Sequence, residues 1–148
     1  MPNSKKILNL ARKVIQIEKQ SIGQLDNQLT DDFSSSVNLI YNSKGRVIVT
    51  GIGKAANIAN KIVSTLNSTG QPANFLHAVD AFHGDLGNIQ KDDIVICISK
   101  SGNTEEIRRL IMFVRNLGNT IISICGNSSS FLAKESDYFL DSSVKKEA

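Results

Sequence analysis

Arg46-Val47-Ile48-Val49-Thr50-Gly51-Ile52-Gly53-Lys54 is the stretch that decides the fold. Val47 to Thr50 is β-branched throughout, which fits a strand buried on both faces. Gly51-Ile52-Gly53 then turns the chain. Ile58, Ala59, Ile62, Val63 and Leu66 follow at helical spacing until Gly70-Gln71-Pro72 breaks the pattern. The alternation continues downstream. Ala73 to His77, Ile94 to Ser99, Thr120 to Cys125 and Tyr138 to Leu140 read as further strands. Glu105 to Leu117 reads as a helix with Ile107, Leu110, Ile111 and Val114 on one side, closed by Gly118. Ser129 to Glu135 has room for one or two helical turns. Strands alternating with helices imply βαβ units. The expected class is α/β, a three-layer αβα sandwich with a five-stranded, mostly parallel, flavodoxin-like sheet.

Upstream of that stretch the chain is helical by period. Ile7, Leu10, Val14 and Ile17, then Ile22, Leu25, Leu29 and Phe33, give an amphipathic segment from about Ser4 to Leu29. A shorter helix is expected from about Asp32 to Tyr41, with Asp31 or Asp32 as its cap. The first helix is longer than one sheet layer needs. Its apolar stripe packs either on its own sheet or on another subunit.

Composition narrows the class. The chain has 148 residues, the size of one domain. With 41% hydrophobic and 21% charged residues it is not a disordered chain. Its net charge of +3 is scattered rather than striped, so nucleic acid is not an expected partner. No apolar run is long enough to span a membrane, and the N-terminus lacks the apolar core of a signal peptide. Cys97 and Cys125 sit inside apolar runs and read as small buried hydrophobes. Neither a disulfide framework nor metal-pair spacing is present, and the expected compartment is cytoplasmic.

In a parallel sheet, ligands bind beyond the carboxyl ends of the strands. Three loops there carry chemistry. Thr50-Gly51-Ile52-Gly53-Lys54-Ala55-Ala56 has two glycines that permit close backbone approach, then a lysine opening a helix. It is not a P-loop, because Ile48 and Ala55 stand where Gly and Ser/Thr are required. Gly51, Gly53 and Ala56 fit a dinucleotide fingerprint, but no acid ends the second strand to hold a ribose. Ser99-Lys100-Ser101-Gly102-Asn103-Thr104-Glu105-Glu106 offers hydroxyls at 99, 101 and 104 and free amides around Gly102 at a helix N-terminus. That pattern suits a phosphate monoester. Asn103 and Glu106 also fit a capping box, and the two readings are compatible. His77-Ala78-Val79-Asp80-Ala81-Phe82-His83-Gly84-Asp85-Leu86-Gly87 raises metal binding, but its spacing favours structural or substrate contacts.

The run Ile98 to Glu106 resembles the signature of SIS (sugar isomerase) domains, which bind phosphosugars. Gly51-Ile52-Gly53-Lys54, Ser68-Thr69-Gly70, His83-Gly84-Asp85-Leu86-Gly87 and Val144-Lys145-Lys146-Glu147-Ala148, in that order, are similar to arabinose 5-phosphate isomerases. Those enzymes interconvert D-ribulose 5-phosphate and D-arabinose 5-phosphate for Kdo, a sugar of lipopolysaccharide and some capsules. The resemblance implies that Ser99, Ser101, Gly102, Asn103 and Thr104 hold phosphate, with the turn at Gly51 and Gly53 beside them. It implies Lys54, Glu106, Glu147 and His83 as catalytic residues, and no metal or cofactor. It further implies a homodimer or homotetramer. The family's domain normally continues past the Lys-Glu-Ala run, and many members carry two CBS modules. Residues 1–148 are thus expected to be one SIS domain cut short at its C-terminus, without CBS modules. Other phosphosugar isomerases, and non-catalytic sugar-phosphate sensors built on the same domain, are the alternative readings.

Overall fold

A computed structural model describes residues 3–146. Five strands, β1 (Val47–Gly51), β2 (Ala73–His77), β3 (Ile94–Ser99), β4 (Thr120–Cys125) and β5 (Tyr138–Asp141), form one sheet in the order β2-β1-β3-β4-β5. Every neighbouring pair is parallel, so the sheet is wholly rather than mostly parallel. The sequence signal follows from position in the sheet. β1 lies in the interior and is buried along its whole length, whereas in the edge strand β2 only Ala73 and Leu76 are buried. Only a strand covered on both faces requires a continuous apolar run.

Five α-helices accompany the sheet: α1 (Ser4–Leu25), α2 (Asp31–Tyr41), α3 (Lys54–Ser68), α4 (Glu105–Leu117) and α5 (Phe131–Glu135). One face packs Ile48, Val95 and Ile121 under Ile107, Leu110, Ile111 and Val114 of α4 and Leu132 of α5. The other packs Val47, Val49, Ile96 and Ile122 under Ala59, Ile62 and Val63 of α3 and Leu39 and Ile40 of α2. This is the three-layer α/β sandwich. Gly118 takes the left-handed conformation at φ 80° and ends α4.

Three local expectations need correction. α1 ends at Leu25 rather than Leu29, and Asp26–Gln28 form a 3-10 turn. The N-cap of α2 is Thr30, not Asp31 or Asp32, and Asp32 instead accepts a hydrogen bond from Phe139 N–H of β5 at 2.9 Å. The N-cap of α4 is Thr104, so Asn103 and Glu106 form no capping box. The Asn103 side chain is engaged elsewhere: its Oδ1 accepts from Phe131 N–H at 2.9 Å. No residue of α1 is buried, and Ile7, Leu10 and Ile22 are more than half exposed. The stripe therefore does not pack on the chain's own sheet. Among the described residues, no helix is long and apolar enough to cross a membrane.

Candidate functional site

The strand order reverses direction between β1 and β3. From β1 the chain crosses over α3 to β2 on one side, and from β3 it crosses over α4 to β4 on the other. A crevice opens at such a point, beyond the carboxyl ends of the two strands. Here it is a cleft of about 400 Å³ whose walls include Lys54, Ser99, Lys100, Ser101 and Thr104, with Ile107 at its base. Two loops far apart in sequence thus meet on one cavity.

Each wall has a local cause. Gly51 ends β1 under the first turn of α3. A Cβ there would lie 3.1 Å from both the Ala55 carbonyl carbon and the Ile98 carbonyl oxygen. Gly53 caps α3 at φ 59° and ψ −124°, a conformation that L side chains rarely adopt. Lys54 follows as the first residue of the helix and is exposed. Opposite, Gly102 turns the second loop at φ 65°, with its missing side chain pointed at Ser130 and at Cys125 Sγ, 2.8 Å away. No larger residue fits there.

Two amides of this loop, those of Gly102 and Asn103, are not free, contrary to expectation. Gly102 N–H donates to the buried Ser99 hydroxyl oxygen at 3.0 Å, and Asn103 N–H to Ser101 Oγ at 3.4 Å. The loop preorganises its own hydroxyls by using its amides. Thr104 and Ser101 stay exposed at the start of α4, and Glu105 and Glu106 occupy its first turn, next to the cleft but outside its lining. Behind the loop, Leu132 N–H donates to the Gly102 carbonyl at 3.0 Å and Phe131 N–H to Asn103. α5 therefore backs the loop, and Ser130, wholly buried, caps α5 by accepting from Ala133 N–H. Sequence reasoning assigned no role to Ser130. The clue was a serine just before Phe131-Leu132-Ala133.

The remaining expected residues lie apart. His83 is exposed at the end of a 3-10 turn, Asp80–His83, and is not part of the cleft wall. Its neighbour Phe82 packs on the face that carries α4, with the Arg109 guanidinium 4.5 Å above its ring. Glu147 lies outside the described residues. The segment leading toward it starts at the carboxyl end of β5, where Ser142 N–H donates to the Cys125 carbonyl at 3.0 Å. Among the described residues, no group of three or more His, Cys, Asp and Glu side chains is placed to hold a metal ion. Cys97 and Cys125 are free and buried, and burial pushes the Cys97 thiol far above its ordinary range, with Cys125 adding to the effect. Cys97 is therefore an inert core residue.

A second cleft of about 400 Å³ lies at the opposite, amino end of the strands, walled by Lys44, Lys91, Asp93 and Asn119. Most of its buried polar groups are used within the chain, Asn119 Oδ1 being the exception. Asp93 accepts from Arg46 Nη2 at 2.7 Å and from Gln90 N–H at 2.8 Å, and the Asn119 amide donates to the Gln90 and Asp93 carbonyls. Those bonds tie strand starts together. At the carboxyl ends, by contrast, Lys54, Lys100, Ser101 and Thr104 line the cleft with exposed side chains.

Comparison with known proteins agrees with this geometry. The SIS domain family matches residues 39–148. A Haemophilus influenzae protein named probable arabinose 5-phosphate isomerase is 43% identical over 140 residues, 95% of this chain and 42% of that protein. The chain thus spans less than half the length of this curated relative. A solved structure of a putative sugar-phosphate isomerase from Listeria monocytogenes superposes with a TM-score of 0.95 at 36% identity, covering 99% of this chain and 78% of that one. The Escherichia coli CFT073 protein c3406, solved in complex with arabinose 5-phosphate, superposes with a TM-score of 0.92 at 33% identity, covering 99% and 78%.

Proposed function

The chain belongs to the SIS domain family, and from that premise we propose that residues 1–148 act as an arabinose 5-phosphate isomerase domain. The observation that carries the proposal is one cleft where Lys54 and the hydroxyls of Ser99, Ser101 and Thr104 meet at the switch point of the sheet. The substrate's phosphate lies on the hydroxyl loop at the start of α4, with Gly102 and Asn103 shaping that loop and Gly51 and Gly53 bringing Lys54 beside it. The C1–C2 end points toward Lys54.

An aldose–ketose isomerisation then needs a carboxylate base and an electrophile. From ribulose 5-phosphate, Glu106 or Glu147 removes a proton from C1, and the electron pair forms the C1–C2 double bond of an enediolate. Lys54 stabilises the charge on O2. The O1 proton passes to O2, a proton returns to C2, and C1 becomes the aldehyde of arabinose 5-phosphate. No metal or cofactor enters. His83 serves the oxygens in this scheme. It stands off the cleft of its own chain, so we assign it to the cleft of a neighbouring copy in a homodimer or homotetramer. The uncovered apolar stripe of α1 supports such an assembly. The product supplies Kdo, and the two free buried thiols favour the cytoplasm.

The deciding experiment is conversion of ribulose 5-phosphate by the chain, with Lys54→Ala alongside. Removal of the electrophile is expected to lower kcat by about a hundredfold or more, without loss of thermal stability. Full turnover by Lys54→Ala would remove Lys54 from the mechanism. Binding of arabinose 5-phosphate without any turnover would replace the isomerase reading by that of a sugar-phosphate sensor.

A further inference from the structure

We propose that Lys100 is the cation that neutralises the substrate's phosphate group, a role that rests on the phosphosugar reading above. Three observations converge on it. First, the loop's own bonds leave the phosphate short of charge. A phosphate monoester carries nearly two negative charges at neutral pH. The Gly102 and Asn103 amides that would offset them donate instead to Ser99 and Ser101. Neutral hydroxyls and the amides of the first turn of α4 remain as donors, and neither carries a full charge. Lys54, the other cation of the cleft, is needed at the sugar's reacting end.

Second, Lys100 stands between Ser99 and Ser101 in the wall of the same cleft, and no Asp or Glu belongs to that wall. Among the described residues, no carboxylate lies within ion-pair distance of its ammonium; the acidic groups that pair do so with Arg46, His77 and Arg115. An exposed ammonium without a partner, beside a hydroxyl nest, is available to an incoming dianion.

Third, Gly126 makes room for its stem. A Cβ on Gly126 would lie 3.0 Å from Lys100 Cδ and 3.2 Å from its Nζ. Gly126 N–H also donates to the Lys100 carbonyl at 3.2 Å. The lysine is thus laid over Gly126 at the end of β4, with its ammonium exposed. Lys100 is a binding residue for the phosphate, not a participant in proton transfer.

The test compares wild type, Lys100→Gln, Lys100→Arg and, as a control for net charge, Lys61→Gln on the exposed outer side of α3. Turnover is measured with ribulose 5-phosphate, and inorganic phosphate is titrated by calorimetry. Lys100→Gln is expected to raise KM about tenfold or more and to weaken phosphate binding by the same factor, with kcat within about twofold. Lys100→Arg recovers most of the loss, and Lys61→Gln changes neither. Unchanged KM and phosphate affinity in Lys100→Gln overturn the proposal, as does a fall in kcat at constant KM. If wild type turns over no substrate, the isomerase reading fails separately. Calorimetry then decides for Lys100, and phosphate binding that is absent in wild type, or equal in wild type and Lys100→Gln, overturns its role.

Discussion

The two ends of the sheet carry similar kinds of polar residue and treat them in opposite ways. At the amino end, Asp93 is almost wholly buried and each of its oxygens is bonded, to Arg46 and to backbone N–H groups. Asn119 spans three carbonyls there. At the carboxyl end, Lys54, Lys100, Ser101 and Thr104 stand exposed around a cleft, held by glycine turns and by α5 behind them. The amino end buries a carboxylate and an amide in bonds between strand starts, and the carboxyl end leaves its cleft-lining lysines and hydroxyls exposed. A parallel sheet invites this division, because every loop that follows a strand emerges on one side.

The sharpest way to break the comparison is Gly102→Ala. Ala at φ 65° costs about 1–2 kcal/mol in backbone strain, and overpacking against Ser130 and Cys125 adds about 1–3 kcal/mol. A loss of about 4 kcal/mol in urea unfolding is expected, together with weaker substrate binding, since the displaced loop is the binding loop. A destabilised variant with unchanged KM would mean that the loop's shape is not what binds.

Asp93→Ala probes the other end and separates stability from function. Removing it leaves the Arg46 guanidinium without its charged partner. Because the Arg46 side chain is 33% exposed, the cost falls at the low end for a broken ion pair, about 3 kcal/mol. KM and kcat of the folded fraction are expected to match wild type. A change in KM would show that the two ends are coupled.

The same carboxylate gives a pH dependence. Burial opposes its charge, but the Arg46 side chain and the N–H groups of Gln90 and Arg46 outweigh that effect and hold Asp93 below the ordinary carboxylate range. A lowered value in the folded state means that the unfolded chain takes up the proton first. The contribution is therefore complete above about pH 4, the unfolded value, and drains away as pH falls through the lowered folded value. Asp93→Asn should flatten this part of the acid limb of the stability curve. An acid limb unchanged from wild type would assign the loss to other carboxylates.

These residues also mark how far the sequence could be read. The β-branched runs of β1 and β3 announced buried central strands, and the Ser99–Thr104 and Gly51–Lys54 loops could be placed at strand ends by counting elements. Local signals fix local structure. What misled was non-local. Asn103 and Glu106 have capping-box spacing, but Phe131 N–H, distant in sequence, claims the Asn103 side chain. The amides of Gly102 and Asn103 looked free because nothing in the spacing says that Ser99 and Ser101 fold back on them. The spacing of His77 and His83 says nothing of where the histidines go, and the turn that carries His83 packs Phe82 on the α4 face. Arg46 and Asp93 lie far apart in sequence and gave no sign of being partners.

The smallest effect tests where the open end stops. Ser130 accepts from Ala133 N–H at 3.2 Å and stands 3.4 Å from Cys125 Sγ beneath Gly102. Ser130→Ala removes the cap of α5 and should cost about 1 kcal/mol. The two backbone bonds that α5 makes to the loop, from Phe131 and Leu132, do not use the Ser130 side chain. The loop should therefore keep its shape, and KM should rise no more than about fivefold, the factor that 1 kcal/mol permits if all of it is felt in binding. Urea unfolding and steady-state kinetics on the same preparation read both quantities. A rise beyond that factor would mean that Ser130 does more than support α5. The boundary between scaffold and site would then run behind the phosphate loop rather than along its exposed face.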